Sequence, residues 1–190
     1  MTEDLKKNEY KIKQVECPEC KFDQANLITH LMDIPYYEDY LMISIACNKC
    51  GYRTSDFLNL THKGHLRFEY LVDSIEDQNT KIVRAREATV EIPELGVKLE
   101  PVGDATSWIR NIEGVLLDFQ EKIELAVIQS GGDEEARLAG EKCRYLIDEM
   151  LMFNQPFTLV VDDPSGNSLI IPTQPAKLVR IEKDTESQEE

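Results

Sequence analysis

Two Cys-x-x-Cys pairs, Cys17-Pro18-Glu19-Cys20 and Cys47-Asn48-Lys49-Cys50, constrain this chain more than any other feature of its sequence. Two residues between cysteines let both sulfurs of a pair face one ion while backbone N–H groups turn toward the thiolates. Two such pairs complete a tetrahedral shell of four sulfurs and leave no open position for a reacting water. The ion expected is therefore one structural Zn2+, held by Cys17, Cys20, Cys47 and Cys50. Iron in a rubredoxin-type site accepts the same four sulfurs, and a redox dithiol would explain one pair only. The 26-residue spacer, 21–46, is long enough to need ordered structure of its own. Cys143 is left over, and disulfides are not expected of a chain read as cytosolic.

That location rests on exclusion. No run of about 18 apolar residues exists to span a membrane, and residues 1–13 are polar, without the apolar stretch of a secretory signal. A cytoplasmic protein is the expectation. The formal net charge is −15 over 190 residues, and it is uneven: residues 1–13 carry +1, residues 14–70 carry −3, and −13 lies beyond them. Phosphate neutralisation needs clustered Lys and Arg, so general nucleic-acid binding is disfavoured. An acidic surface keeps a chain soluble and can attract a basic protein patch.

The organisation expected is a polar arm over 1–13, a zinc ribbon over 14–66, a mainly β domain over 67–182 with an inserted helical hairpin at about 104–153, and a disordered acidic tail over 183–190. The fold class is thus mainly β with an inserted α-helical hairpin (α+β). Residues 41–46 are the clearest ribbon strand, and 61–66, containing Gly64, make a connector. Strand patterns follow at 68–72, 81–86, 88–92 and 97–99, with alternation visible in Thr89-Val90-Glu91-Ile92. The period then changes. Ile109, Ile112, Leu116, Phe119, Ile123 and Val127 fall on one face of a helix that Asp104 or Thr106 can cap. Ser130-Gly131-Gly132 ends it, and Asp133 caps a second helix with Ala139, Cys143, Leu146, Met150 and Phe153 on its apolar stripe. Strand patterns return at 157–161, 168–171 and 176–181 around an Asp163-Pro164-Ser165-Gly166 turn.

Other polar residues are weighed against ordinary structural roles. His62-x-x-His65 could reach one metal, but neither these two nor His30 has a cysteine or carboxylate in a familiar ligand arrangement, so surface or loop roles are expected. Cys143 lies on an apolar stripe, where a thiol behaves as a small hydrophobe. Asp162 and Asp163 precede a turn at which Asp side chains accept backbone N–H groups. Gly114 inside a helix costs about 1 kcal/mol relative to Ala, which the close approach of another backbone would explain. No phosphate-binding loop or nucleophile elbow is present, and no enzymatic activity is expected.

Six separated strings carry a resemblance: Cys17-Pro18-Glu19-Cys20, Ile34-Pro35-Tyr36-Tyr37-Glu38, Cys47-Asn48-Lys49-Cys50-Gly51-Tyr52-Arg53, Ile92-Pro93-Glu94-Leu95, Ile112-Glu113-Gly114-Val115-Leu116 and Asp162-Asp163-Pro164-Ser165-Gly166-Asn167-Ser168. In this order they resemble the ZPR-type zinc-finger proteins. The resemblance implies a zinc ribbon, similar to one in a translation initiation factor, followed by a double-stranded β-helix that carries the hairpin. Eukaryotic members have two such modules; this chain resembles the single-module, archaeal-type form. It further implies a protein partner, the GTPase translation elongation factor one-alpha, for which the chain would be a monomeric adaptor or folding chaperone. Tyr36 and Tyr37 would then serve as aromatic anchors, with Asp162 and Asp163 as further partner-binding residues. The alternative is a ribosome- or RNA-associated ribbon, against which the −3 of residues 14–70 argues. An oxygenase on the double-stranded β-helix would need a His-His-carboxylate set there, and all three histidines precede residue 66.

Overall fold

In the computed structural model, which describes residues 9–34, 37–61, 64–103 and 105–183, the spacer between the cysteine pairs becomes one long hairpin. Strands β1 (Tyr10–Val15), β2 (Ala25–Ile34), β3 (Tyr37–Ala46) and β4 (Arg53–Asn59) form an antiparallel sheet in chain order. The two cysteine turns join β1 to β2 and β3 to β4, and the registers Val15–Ala25, Asn26–Ala46 and Ala46–Arg53 hold both turns at the same end. Residues 10–13, expected in the arm, instead begin β1, because pairing with β2 satisfies their backbone groups. The rest of the arm (1–8), Tyr36, His62, Asp104 and tail residues 184–190 lie outside the described residues.

The second unit has two antiparallel sheets. One is ordered β12-β5-β10-β7-β8 and the other β11-β6-β9, built from β5 (His65–Val72), β6 (Lys81–Arg84), β7 (Thr89–Ile92), β8 (Val97–Leu99), β9 (Trp108–Asn111), β10 (Phe157–Asp163), β11 (Leu169–Ile171) and β12 (Leu178–Lys183). Alternation decides the inner faces: Leu66, Phe68, Tyr70 and Val72 of β5 meet a core shared with Ile82, Val83, Leu169 and Ile170 of the smaller sheet. This is the packing expected of a double-stranded β-helix. His65 and Leu66, placed in a connector by their sequence, belong to β5, and Lys183, placed in the tail, pairs with His65 at the end of β12.

Helices α1 (Ile112–Gln129) and α2 (Glu134–Leu151) form the inserted hairpin. The start of α1 and the end of α2 are buried, through Ile112, Val115, Leu116 and Phe119 on one and Ile147 and Met150 on the other. The expected cap is corrected. Asn111, not Thr106, begins α1 by accepting the Gly114 N–H at 3.0 Å, since the edge of β6 recruits residues 108–111 as a strand. Ile109 therefore leaves the helical face and is exposed. Gly114 is also explained differently: its neighbour is the capping Asn111 side chain, 3.2 Å from where a Cβ would stand, not another backbone. On α2 the contact ridge passes through Gly140 rather than Ala139, because a Cβ at Gly140 would stand 2.4 Å from Val127 of α1.

The ribbon is not a separate bead. Ile34, Tyr40 and Phe57, at the end of its sheet remote from the cysteines, join the core of the β domain. Polar contacts converge on the 163–168 turn. Asn59 N donates to Asn167 Oδ1 at 2.9 Å and its Nδ2 to the Gly166 carbonyl at 3.3 Å, while Tyr40 Oη donates to the Ser168 carbonyl. Fully buried Asp163 shapes this turn: Oδ1 accepts from Ser165 N at 2.9 Å and Ser165 Oγ at 2.7 Å, and Oδ2 from Ser168 N at 2.5 Å. Gly166, at φ 69°, supplies the left-handed residue.

Asp163→Ala leaves two inward N–H groups without an acceptor, and should lower unfolding free energy by roughly 2–4 kcal/mol. Urea denaturation measures this; a loss within error of zero would remove Asp163 from its organising role.

Candidate metal centre

The two cysteine turns have one local design. Lys21 N donates to the Cys17 carbonyl at 3.0 Å and Cys17 N to the Phe22 carbonyl at 2.7 Å; Gly51 N and Cys47 N repeat this with Cys47 and Tyr52 at 3.0 and 2.9 Å. Each turn needs a left-handed residue directly after its second cysteine. Gly51 meets that need without strain, at φ 79°, and Lys21 adopts it at φ 59° despite its Cβ.

These turns bring four sulfurs together. Cys17 and Cys50 Sγ lie 3.7 Å apart, as do Cys20 and Cys47 Sγ, and all four atoms fall within 4.8 Å of one another. A tetrahedron with Zn–S of about 2.3 Å has edges of about 3.8 Å, so the cluster already has the dimensions of a tetrathiolate zinc shell. Among the described residues this is the group of His, Cys, Asp and Glu side chains close enough to hold an ion. Cys17, Cys47 and Ala25 are buried in a small core covered by Val15, Phe22, Ile45 and Tyr52.

The thiols are electrostatically ready for a cation. The Cys50 N–H, opposed by burial and aided by the Lys49 N–H, carries the Cys47 thiol down to about 6. The Tyr52 N–H pulls on Cys50 in the same sense, but burial and the three neighbouring sulfurs push that thiol up to about 12. The Cys47 thiolate thus forms readily while Cys50 holds its proton against the repulsion between sulfurs, and a divalent ion removes that repulsion. The four cysteines fit one structural Zn2+, with no ligand position left for catalysis.

The other residues singled out by sequence are dispersed. Tyr37 opens β3 at the hairpin end remote from the cysteines, about 30 Å away by ten strand residues. Asp163 is fully buried and used up by its turn, so it holds that loop and does not reach an external partner. Asp162, one residue earlier and on the opposite strand face, receives His65, Arg67 Nη1 at 3.2 Å and Lys183 Nζ at 2.6 Å. Burial acts to raise its carboxyl pKa, but hydrogen bonds from Lys183, His65 and Arg67 prevail and bring it to about 2. His30 stacks on Tyr10 with centroids 4.1 Å apart. Cys143 packs half-buried, with its Sγ 3.7 Å from the Leu95 carbonyl. The convergence of Tyr40, Asn59 and the 163–168 turn was missed by sequence reasoning; the cue available was a polar Asn at the end of a strand pattern, too common to single out.

Comparison with known proteins gives matches to two family models: the ZPR1 zinc-finger domain over residues 11–59 and the ZPR1 jelly-roll domain over residues 76–190. An uncharacterised ZPR1-like protein of Methanocaldococcus jannaschii is 32% identical over 161 residues, which cover 84% of this chain and 81% of that protein. A ZPR1-like protein of Pyrococcus horikoshii is 32% identical over 160 residues, 82% of this chain and 71% of that one. The zinc finger chaperone zpr1 of Schizosaccharomyces pombe is 26% identical over 169 residues, 86% of this chain but 36% of that protein.

Cys47→Ser should reduce bound zinc, measured by elemental analysis, from one equivalent toward none. Amide exchange should quicken in 17–22 and 47–52 while β5 and β10 keep their protection; retention of a full equivalent would refute the four-sulfur site. The depressed Asp162 carboxyl predicts an acid limb as well. Its stabilisation is complete above the ordinary carboxylate value near 3.8 and is lost as pH falls toward about 2. Lys183→Ala removes a cation that holds this pKa down, so acid unfolding followed by circular dichroism should shift to higher pH; an unchanged midpoint would show that the pair contributes nothing to stability.

Proposed function

Since the chain belongs to the ZPR1 zinc-finger family, we propose that it is a non-catalytic protein-binding module, a cytoplasmic, monomeric adaptor or folding chaperone whose client is translation elongation factor one-alpha. The observation that carries this reading is the closed four-sulfur centre on a sheet whose other end is built into the β domain. Such a centre stiffens a surface and offers no reactive group. A relative that matches most of this chain bears the name zinc finger chaperone, which supports a role in handling other proteins. The elongation factor is the client that the resemblance to this family implies.

The helical hairpin is the surface best suited to a client. Leu117, Leu125, Ile128, Leu138, Tyr145 and Met152 are each 41–73% exposed on it or at its end, and apolar groups held in water at this density favour a protein partner. Residues 112–151 also carry ten acidic and four basic side chains, a field that steers a basic client toward the apolar tip.

Purified elongation factor one-alpha should be captured by the zinc-loaded chain at low salt and less at raised salt. Ile128→Asp should weaken capture by roughly 10-fold or more, the effect of removing a central apolar anchor. No capture at low salt would exclude this client, and a gel shift with ribosomal RNA in its place would favour an RNA-associated ribbon.

A further inference from the structure

A cavity of about 600 Å³ lies where the ends of β6, β8 and β9 meet the outer side of α1. In a chain of net charge −15 it gathers four cations: Arg84, Lys98, Arg110 and Lys122. Three of these have carboxylate partners. Lys98 meets Glu100 at 2.6 Å, Lys122 meets Glu121 at 3.8 Å, and Arg110 pairs with Asp118. Arg84 does not.

Arg84 is only 6% exposed, and it is the one buried residue of those that line the cavity. Its Nε donates to the Ala88 carbonyl at 2.8 Å. Among the described residues, no hydrogen bond or ion pair engages its two Nη groups. A guanidinium cannot shed its charge at neutral pH, and a buried charge without a partner is costly. Burial accordingly lowers its pKa, with the nearby charge of Asp163 acting the other way. Beside it stands Trp108, whose ring has the Arg84 guanidinium 5.9 Å from its centre and that of Arg110 at 5.2 Å. The cavity thus offers a planar donor fork whose Nη groups have no hydrogen-bond partner among the described residues, a second guanidinium shared with Asp118, and an aromatic wall. That set matches an oxyanion, which Arg binds through two parallel N–H···O bonds.

We propose that this cavity is a binding site for a small molecule bearing a phosphate or carboxylate group, with Arg84 as its bidentate anchor and Trp108 as the wall against which it lies. The site is distinct from the zinc centre and independent of the hairpin tip.

Trp108 is the sole tryptophan of the chain, so its emission reports on this cavity alone. Inorganic phosphate and acetate are titrated separately into the zinc-loaded protein, with potassium chloride at matched ionic strength as control. The expected result is a saturable change with phosphate, with acetate or with both, and none with chloride; the arm that saturates identifies the group. Arg84→Gln should weaken the response by roughly 10- to 100-fold, the loss of a charged hydrogen-bonded pair. Should that variant fail to fold, Val102→Glu, on a rim residue 81% exposed, places a carboxylate beside the ligand and should weaken it several-fold. A response that merely follows ionic strength overturns the proposal, as does undiminished affinity in Arg84→Gln or, if that chain is unfolded, in Val102→Glu.

Discussion

The carboxylate of Asp163 is the contact on which both units depend. It is fully buried at the end of β10 and turns three donors inward, from Ser165 and Ser168. The turn then presents the Gly166 carbonyl, Asn167 Oδ1 and the Ser168 carbonyl to Asn59 and Tyr40 of the ribbon. Ser168 Oγ meanwhile accepts the Ala85 N–H at 2.9 Å, tying the same loop to the end of β6. An apolar joint would let the ribbon slide, since the hydrophobic effect is not directional. Hydrogen bonds to a fixed turn set one orientation, and Ile34, Tyr40 and Phe57 then bury apolar area behind them.

The far end of the ribbon is fixed by other means. The small core there has few large side chains, being made of two cysteines and an alanine with partial cover, and it could not order four strands by burial alone. A structural zinc contributes roughly 10–16 kcal/mol of apparent binding energy, against a net stability of about 5–15 kcal/mol for a typical domain. The β2–β3 hairpin is therefore held at one end by metal–sulfur bonds and at the other by the β-domain core. A strand pair pinned at both ends transmits orientation over its length, a property required of an adaptor.

What could be read from sequence follows from how local each determinant is. The zinc ligands were legible because the Cys-x-x-Cys turn encodes its own geometry within six residues, and the Asp163 turn was legible for the same reason. The helical hairpin was legible from its period, yet its start was not. Residues 108–111 become a strand only because β6, more than twenty residues earlier, offers them an edge. Gly140 was overlooked since its reason lies on the other helix, at Val127. Asp162 read as turn chemistry, whereas its partners His65, Arg67 and Lys183 come from β5 and β12. The division into a ribbon and a β domain was legible, but the joint between them was not, because Tyr40 and Phe57 look like ordinary strand residues until the second unit covers them.

Charge placement connects these observations to partner choice. Several of the chain's cations are spent internally: Arg67 and Lys183 on Asp162, Lys177 on buried Asp77. Each such pair cancels one positive and one negative charge, so the field over the hairpin is set by its own ten acidic and four basic side chains. The exception is the cavity beside Trp108, where buried Arg84 has no carboxylate within ion-pair distance among the described residues, although the charge of Asp163 acts on it from further off. Long-range attraction screened over about 8–10 Å favours basic groups at the hairpin, whereas short-range donor geometry favours an oxyanion at Arg84. On these two proposals, ligand classes of opposite charge are sorted on one acidic molecule by depth, the first recognised by long-range field and the second by the donor geometry of a buried guanidinium.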